Sequence, residues 1–361
     1  MNLKNIGFNE NRISEFRDYQ AEYIPGRVIS ESRNLYRVVT DAGERPAILN
    51  DKFWFETQDK SLLPVVGDWV VLSEHEGLNN LKIHNILPRK SKFARKAVDS
   101  FGRNYSKSGT SEEQVISANV DYVILVISLD REFNLRKIER YMTLMWDSGA
   151  NPVIILNKAD DCPDYESYVE QVEAICYGIP VHAISAKTGF GMETFDSYLK
   201  TGETISFIGS SGVGKSSIIN YLSGSKQMWV YDVRDADHRG RHTTTHREMI
   251  ILENGASIID NPGMRDIKVQ GDPGNLELTF RDIIELQRHC KFRNCQHDTE
   301  PGCAIKEAID NGELEQARFN NYKKLQRELI FLAKRKKERV HKTYNQASLQ
   351  AAIDREIRKK K

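Results

Sequence analysis

Cysteine is scarce in this chain, and a long apolar run is absent. The 361 residues hold 5 cysteines, an odd number, and three of them crowd between 290 and 303. That is unlike the even framework that staples small secreted domains and more like a metal site. The longest apolar run, around Val123 to Ile127, falls far short of the roughly 20 residues a membrane helix needs. The opening MNLKNIGFNENRIS has no apolar leader region, so a cytoplasmic protein with no membrane partner is expected. Neither sign of charge is in excess, with 52 basic against 51 acidic residues and a net charge of +1. Contact with nucleic acid must therefore come from local patches. The remaining balance, 39% hydrophobic and 29% charged, suits a soluble chain of two or three domains with a sizeable core.

One stretch organises the rest: GSSGVGKS at 209 to 216. An apolar strand is expected before it, over Thr204 to Ile208, and a helix after it, over Ser217 to Leu222. Gly209, Gly212 and Gly214 let the backbone turn its N–H groups toward a phosphate chain, and the helix start adds partial positive charge. Lys215 reaches the outer phosphates, and Ser216 offers a hydroxyl to magnesium. A plain Gly-Ser turn would explain the glycines but not the Lys-Ser behind them. The residues from Gly209 through Ser210, Ser211, Gly212, Val213, Gly214, Lys215, Ser216 and Ser217 are therefore read as a phosphate-binding loop.

Three further fragments sit at strand ends. VDYVILVIS gives an apolar strand over Tyr122 to Ser128, LRKIERYMTLMWDSG a helix, and PVIIL at 152 to 156 a second strand. It ends in Asn157-Lys158-Ala159-Asp160. The Asp160 carboxylate can accept from both N1–H and the exocyclic amine of guanine, groups that adenine does not present, while the Lys158 stem lies along the base. Alone, such a turn could be a helix cap. A strand ending in Ser185-Ala186-Lys187 adds a backbone N–H for the guanine oxygen. Past the phosphate loop, Val230 to Arg247 is polar and rich in Thr and His, as expected of a loop that orders around a γ-phosphate. Strands EMIIL and ASIID then lead to Asp260-Asn261-Pro262-Gly263, where Asp260 can hold magnesium through water and Gly263 can donate to the γ-phosphate. Four such fragments in one domain point to GTP.

Around this domain lie three other features. From about Arg27 to Ile86, short alternating runs broken by turns predict five strands, an OB-like barrel of the kind that binds nucleic acid. Phe53, Trp54 and Phe55 are either its exposed aromatics or, by the usual burial of aromatics, its filling. PRKSKFARKA at 88 to 97 carries five basic residues and runs into a Gly/Ser-rich segment, read as a mobile basic connector. Cys290-x4-Cys295-x-His297-x5-Cys303 gathers three thiolates and an imidazole, enough for a closed, structural zinc site. From Lys323 onward, 14 Lys or Arg stand against 4 Asp or Glu, with helical spacing of Leu325, Leu329, Ile330 and Leu332. This reads as a basic helical tail suited to an RNA backbone.

The order of the GTP fragments is unusual. Ras-like enzymes begin with the phosphate loop; here the guanine-reading turns precede it and Asp260 to Gly263 closes the domain, as in a circular permutation. On these motifs, with GRHTTT at 240 to 245, the chain resembles the ribosome-small-subunit-dependent GTPase A family, RsgA or YjeQ, over nearly its full length. The resemblance implies a monomeric GTPase that binds GTP and GDP and acts on the 30S subunit and its 16S rRNA in late assembly. It also implies Thr244, among Thr243 to Thr245, as a magnesium ligand beside Ser216 and Asp260, and His242 as the residue that positions the attacking water. Lys215 and Thr244 would join His242 in catalysis. Where Ras-type enzymes place a water-orienting Gln, this chain has Met264, so hydrolysis alone should be slow. The expected fold is multidomain α/β: an OB-fold barrel over 1–97, a connector over 98–117, a permuted P-loop GTPase over 118–274 and a helical zinc-binding domain over 275–361. The GTPase sheet is expected to be mixed and mostly parallel, with helices on both faces. Two alternatives stay open: a GTP-gated RNA-binding module in which hydrolysis is incidental, and a P-loop ATPase or kinase, which Asn157 and Asp160 disfavour.

Overall fold

A computed structural model describes residues 2–32, 35–57, 60–74, 80–96, 113–130, 133–224, 247–261 and 273–334. The chain forms two compact units, one made of the described residues up to 261 and one of those from 273 onward.

The first unit opens with helix α1 (Glu10–Phe16), capped by Asn9, whose Oδ1 accepts from the Arg12 N–H at 3.3 Å. Five strands follow: β1 (Ile24–Ser32), β2 (Leu35–Thr40), β3 (Gly43–Leu49), β4 (Trp69–Glu74) and β5 (Leu81–Ile86). β1 pairs antiparallel with β2 and β4, β2 with β3, and β4 with β5, while β3 and β5 run parallel. The circuit β1-β2-β3-β5-β4-β1 closes the barrel in OB order. Alternation fills it: Val28, Tyr36, Val38, Ala47, Val70, Leu72, Leu81 and Ile83 all point inward. The aromatic run at 53 to 55 is not strand. It lies on helix α2 (Asp51–Glu56), started by Asn50, whose side chain accepts from the Lys52 N–H at 2.9 Å, and Phe53 is only half-buried. The side chains of Trp54 and Phe55 lie outside the described residues.

The basic run at 88 to 97 differs from the mobile connector expected. The Arg89 guanidinium forks onto the fully buried Asp68 carboxylate at 2.8 and 2.7 Å, and Lys90 reaches Asp121 at 2.7 Å. β6 (Lys92–Lys96) then pairs antiparallel with β7 (Glu113–Ala118), so strand occupies residues 113–117, which the connector was expected to include. Ion pairing, not sequence composition, sets the difference: a buried carboxylate demands a cation.

Among the described residues, six strands form the second sheet: β8 (Tyr122–Ser128), β9 (Asn151–Asn157), β10 (Val181–Ile184), β11 (Thr204–Ile208), β12 (Arg247–Ile251) and β13 (Ser257–Asp260). Their order is β10-β9-β8-β11-β13-β12, parallel except for β12. Period-two burial splits β8 between two cores. Val123, Leu125 and Ile127 pack against α3 (Leu135–Asp147) and α4 (Tyr165–Glu173). Ile124 and Val126 pack toward α5 (Lys215–Leu222) through Ile218 and Ile219. Helices thus cover both faces, as a parallel sheet requires.

This sheet does not end at β12. β12 pairs antiparallel with β1, with Ser30 opposite Glu248 and Glu31 opposite Arg247, so barrel and parallel sheet share one hydrogen-bonded surface. Arg27, 2% exposed, fastens the same junction: it donates to the Ile6 carbonyl at 2.6 Å, to Thr204 Oγ1 at 2.8 Å and to the Asn119 carbonyl at 3.2 Å.

The second unit is helical: α6 (Pro273–Thr279), α7 (Arg281–Arg288), α8 (Ala304–Asp310) and a helix described over 316–334. Phe280, Ile283, Ile305, Phe319, Tyr322, Leu325 and Leu329 form its core. Ile330, expected on the same face as Leu325 and Leu329, is 58% exposed, because one residue beyond Leu329 turns it about 100° away. No described helix is long and apolar enough to cross a membrane.

Candidate nucleotide site and metal centre

The carboxyl ends of β9, β10, β11 and β13 converge, the crevice where open parallel sheets bind ligands. From β11 the chain turns through Gly209 to Gly214 into α5. Gly209 has φ +141°, and a Cβ there would stand 2.4 Å from the Val126 carbonyl oxygen, so only glycine lets the loop pass so close to β8. Ser210 to Val213 complete the loop, with Ser216 and Ser217 half-buried in the first turn of α5. Lys215 is 8% exposed and folds back, its Nζ donating to the carbonyls of Gly209 at 2.9 Å and Ser210 at 2.7 Å. Burial lowers its ammonium to about 8, against the attraction of Asp260. Asp260 ends β13 opposite Phe207 of β11. Burial raises its carboxyl, and Lys215 partly offsets that.

Asn157 joins the two predicted halves of the site. Its Nδ2 donates to the Val213 carbonyl at 2.8 Å, while its Oδ1 accepts from the Ala186 N–H at 3.2 Å. One side chain therefore ties the phosphate loop to the Ser185-Ala186-Lys187 turn. Lys158 adopts φ +69° and its Nζ reaches Asp130 at 2.9 Å, and the buried Ala159 starts the next turn. Asp160 lies below the usual carboxylate range, held there first by a hydrogen bond from Ser185 and then by Lys187, whose Nζ is 3.4 Å away. An ionised carboxylate at this position is an acceptor-only group, which is what a guanine edge with two donors needs.

Two contributors escaped the sequence reading. Asp130, just past β8, steadies Lys158. Asn261, 1% exposed, donates to Ser206 Oγ at 2.6 Å and locks the end of β13 to β11. Only its place beside Asp260 would have signalled it. His242, Thr244, Gly263 and Met264 lie outside the described residues.

In the second unit, Cys290, Cys295, His297 and Cys303 bring their ligand atoms within 4.8 Å of one another. His297 Nδ1 stands 3.5 Å from Cys290 Sγ and 3.4 Å from Cys303 Sγ. A tetrahedral zinc with Zn–S of 2.3 Å and Zn–N of about 2.0 Å separates S from N by about 3.5 Å. The donor set and its spacing both fit that ion. His297 takes φ +59° to enter the cluster.

Permuted strand order, a glycine-rich loop at the carboxyl end of β11 and the Asn157 turn that bridges to it from the end of β9 define the fold of a circularly permuted P-loop GTPase. A family model described as RsgA GTPase matches residues 86–270. The chain is 42% identical over 308 residues to small ribosomal subunit biogenesis GTPase RsgA 2 of Lactiplantibacillus plantarum, covering 85% of this chain and 84% of that one. It is 41% identical to RsgA 1 of Listeria innocua, covering 91% and 88%. Among solved structures it resembles YjeQ from Thermotoga maritima, with a TM-score of 0.61 and 29% identity over 85% of this chain and 99% of that one. The chain belongs to the RsgA GTPase family and is a GTP-hydrolysing enzyme.

Proposed function

We propose that this GTPase acts in small ribosomal subunit biogenesis, binding the 30S subunit through its 16S rRNA in the GTP state and leaving after hydrolysis to GDP. Asn157 carries the nucleotide half of the reading, because it holds base-reading and phosphate-binding loops in one frame. The ribosomal half rests on relatives named small ribosomal subunit biogenesis GTPases. The reaction is placed in the cytoplasm, with the barrel and the zinc-bearing unit as RNA-facing parts.

Asn157, Lys158, Ala159 and Asp160, with Ser185, Ala186 and Lys187, select guanine. Gly209 through Ser217 and the Gly263 N–H cradle the phosphates. Ser216, Thr244 and Asp260 form an all-oxygen donor set suited to magnesium, which when bound neutralises charge on the β- and γ-phosphates. Lys215 exchanges its two loop carbonyls for phosphate oxygens and stabilises the charge that develops on them. His242 holds the attacking water, the part that Met264 cannot play. Cys290, Cys295, His297 and Cys303 hold zinc in a structural role, since four protein ligands leave no open position.

Co-sedimentation of the full chain with isolated small subunits tests this reading. Binding is expected with a non-hydrolysable GTP analogue and at least tenfold weaker with GDP, about 1.4 kcal/mol. Equal binding in both states would contradict a nucleotide-gated cycle.

A further inference from the structure

We infer that the zinc loop presents Phe292 as a stacking platform for an unpaired RNA base, with Lys291 and Arg293 taking the flanking phosphates. The inference deepens the ribosomal reading above and rests on it for the identity of the RNA.

Phe292 lies between two zinc-site cysteines and is 42% exposed. Of the other aromatics of its unit, Phe280, Phe319 and Tyr322 are core residues at 0%, 4% and 4% exposed, and Phe331, outside the metal loop, is 57% exposed. A single exposed apolar residue is ordinary. This one differs in its support and its company. Its backbone is fixed on both sides: the Cys295 N–H donates to the Phe292 carbonyl at 3.2 Å, and the Lys291 N–H to the Gly302 carbonyl at 3.0 Å. With Cys290 and Cys295 turned toward the cluster, the loop carries Phe292 outward, a rigid mount rather than a mobile tip.

Two cations are its neighbours in sequence, and Lys291 lies over one face of the ring. Lys291 and Arg293 are both exposed, and Lys291 Nζ sits 5.6 Å from the Phe292 ring centroid. An exposed aromatic ring with adjoining exposed cations matches single-stranded nucleic acid, whose bases stack without regard to sequence and whose phosphates supply the anions. A protein partner would need an apolar patch carrying acidic groups, and a duplex would offer no free base face.

The test uses the zinc-loaded full chain and a single-stranded oligoribonucleotide of about eight nucleotides carrying 2-aminopurine. Wild type is expected to quench the probe on binding. Phe292→Ala should bind about 5- to 150-fold more weakly, the fold-change of one lost stack of about 1 to 3 kcal/mol, and lose the quench, with zinc content unchanged. Phe292→Tyr should restore both, and Phe292→Leu neither. Lys291→Ala should weaken binding and flatten its salt dependence while keeping the quench. An Ala variant that matches wild type, or a Leu variant that restores binding, would overturn the inference. Small-subunit co-sedimentation separates the two levels. If wild type and Phe292→Ala co-sediment equally, stacking falls and the ribosomal reading stands; if wild type does not co-sediment, that reading falls while the oligonucleotide still decides the stacking.

Discussion

A Cβ at Gly214 would stand 2.2 Å from Asn157 Nδ2. The last residue before Lys215 and the first residue of the Asn157-Lys158-Ala159-Asp160 turn thus touch, and Gly214 also holds φ +98°. Gly214→Ala is expected to push Asn157 off the Val213 carbonyl and strain the loop, abolishing measurable GTP binding while the folded state persists. Fluorescent-nucleotide titration beside circular dichroism checks this. Asn157→Ala removes the two hydrogen bonds without the clash and should weaken GTP binding by about 1 to 3 kcal/mol.

Lys215 makes nucleotide binding depend on pH. Its ammonium is lowered by burial from 10.5 to about 8 in the fold. Between those values the unfolded chain holds more protons, so this group's contribution to stability rises with pH across that window, and below it the cost of the buried charge is complete. A bound triphosphate restores the charge. GTP binding should therefore take up a proton at about pH 9 and none at about pH 6.5, read by calorimetry in buffers of different ionisation enthalpy. Lys215→Met should abolish the uptake.

Much of this site was legible because it is local. The phosphate loop needs its glycines, Lys and Ser in one run, and β8 and β11 appear with the bounds their apolar runs imply. The three cysteines and the histidine of the candidate metal cluster likewise fall within 14 residues. What stayed hidden is long-range pairing. Nothing in the spacing of Arg27 announces Thr204, 177 residues away, and Arg89 reads as surface charge until Asp68 is placed beside it. The joining of β12 to β1 depends on two edges meeting, a property of assembled sheets rather than of either strand.

Arg27 should therefore matter to stability more than its position in a barrel strand suggests. Arg27→Met leaves the Ile6 and Asn119 carbonyls and the Thr204 hydroxyl without their donor, at about 1 to 3 kcal/mol for each unmade bond, partly offset by removing a buried charge. A loss of about 3 kcal/mol in denaturant unfolding is expected. A change under about 0.5 kcal/mol would show that Arg27 does not fasten the junction.

Zinc is expected at one ion per chain. Cys303, 4% exposed within the helical core, couples the ion to that unit's packing. Chelation or Cys303→Ser should melt the near-ultraviolet signal of Phe280, Phe319 and Tyr322, because metal binding here is folding free energy. GTP affinity should be unchanged.

The most direct test of the account is the steady-state GTP hydrolysis rate of the full chain, alone and with isolated small subunits. A slow basal rate is expected, raised at least tenfold by the subunit, about 1.4 kcal/mol of barrier, lost in His242→Ala and not reproduced with ATP. A subunit that binds yet leaves the rate unchanged would contradict it and make the protein a GTP-gated binding module.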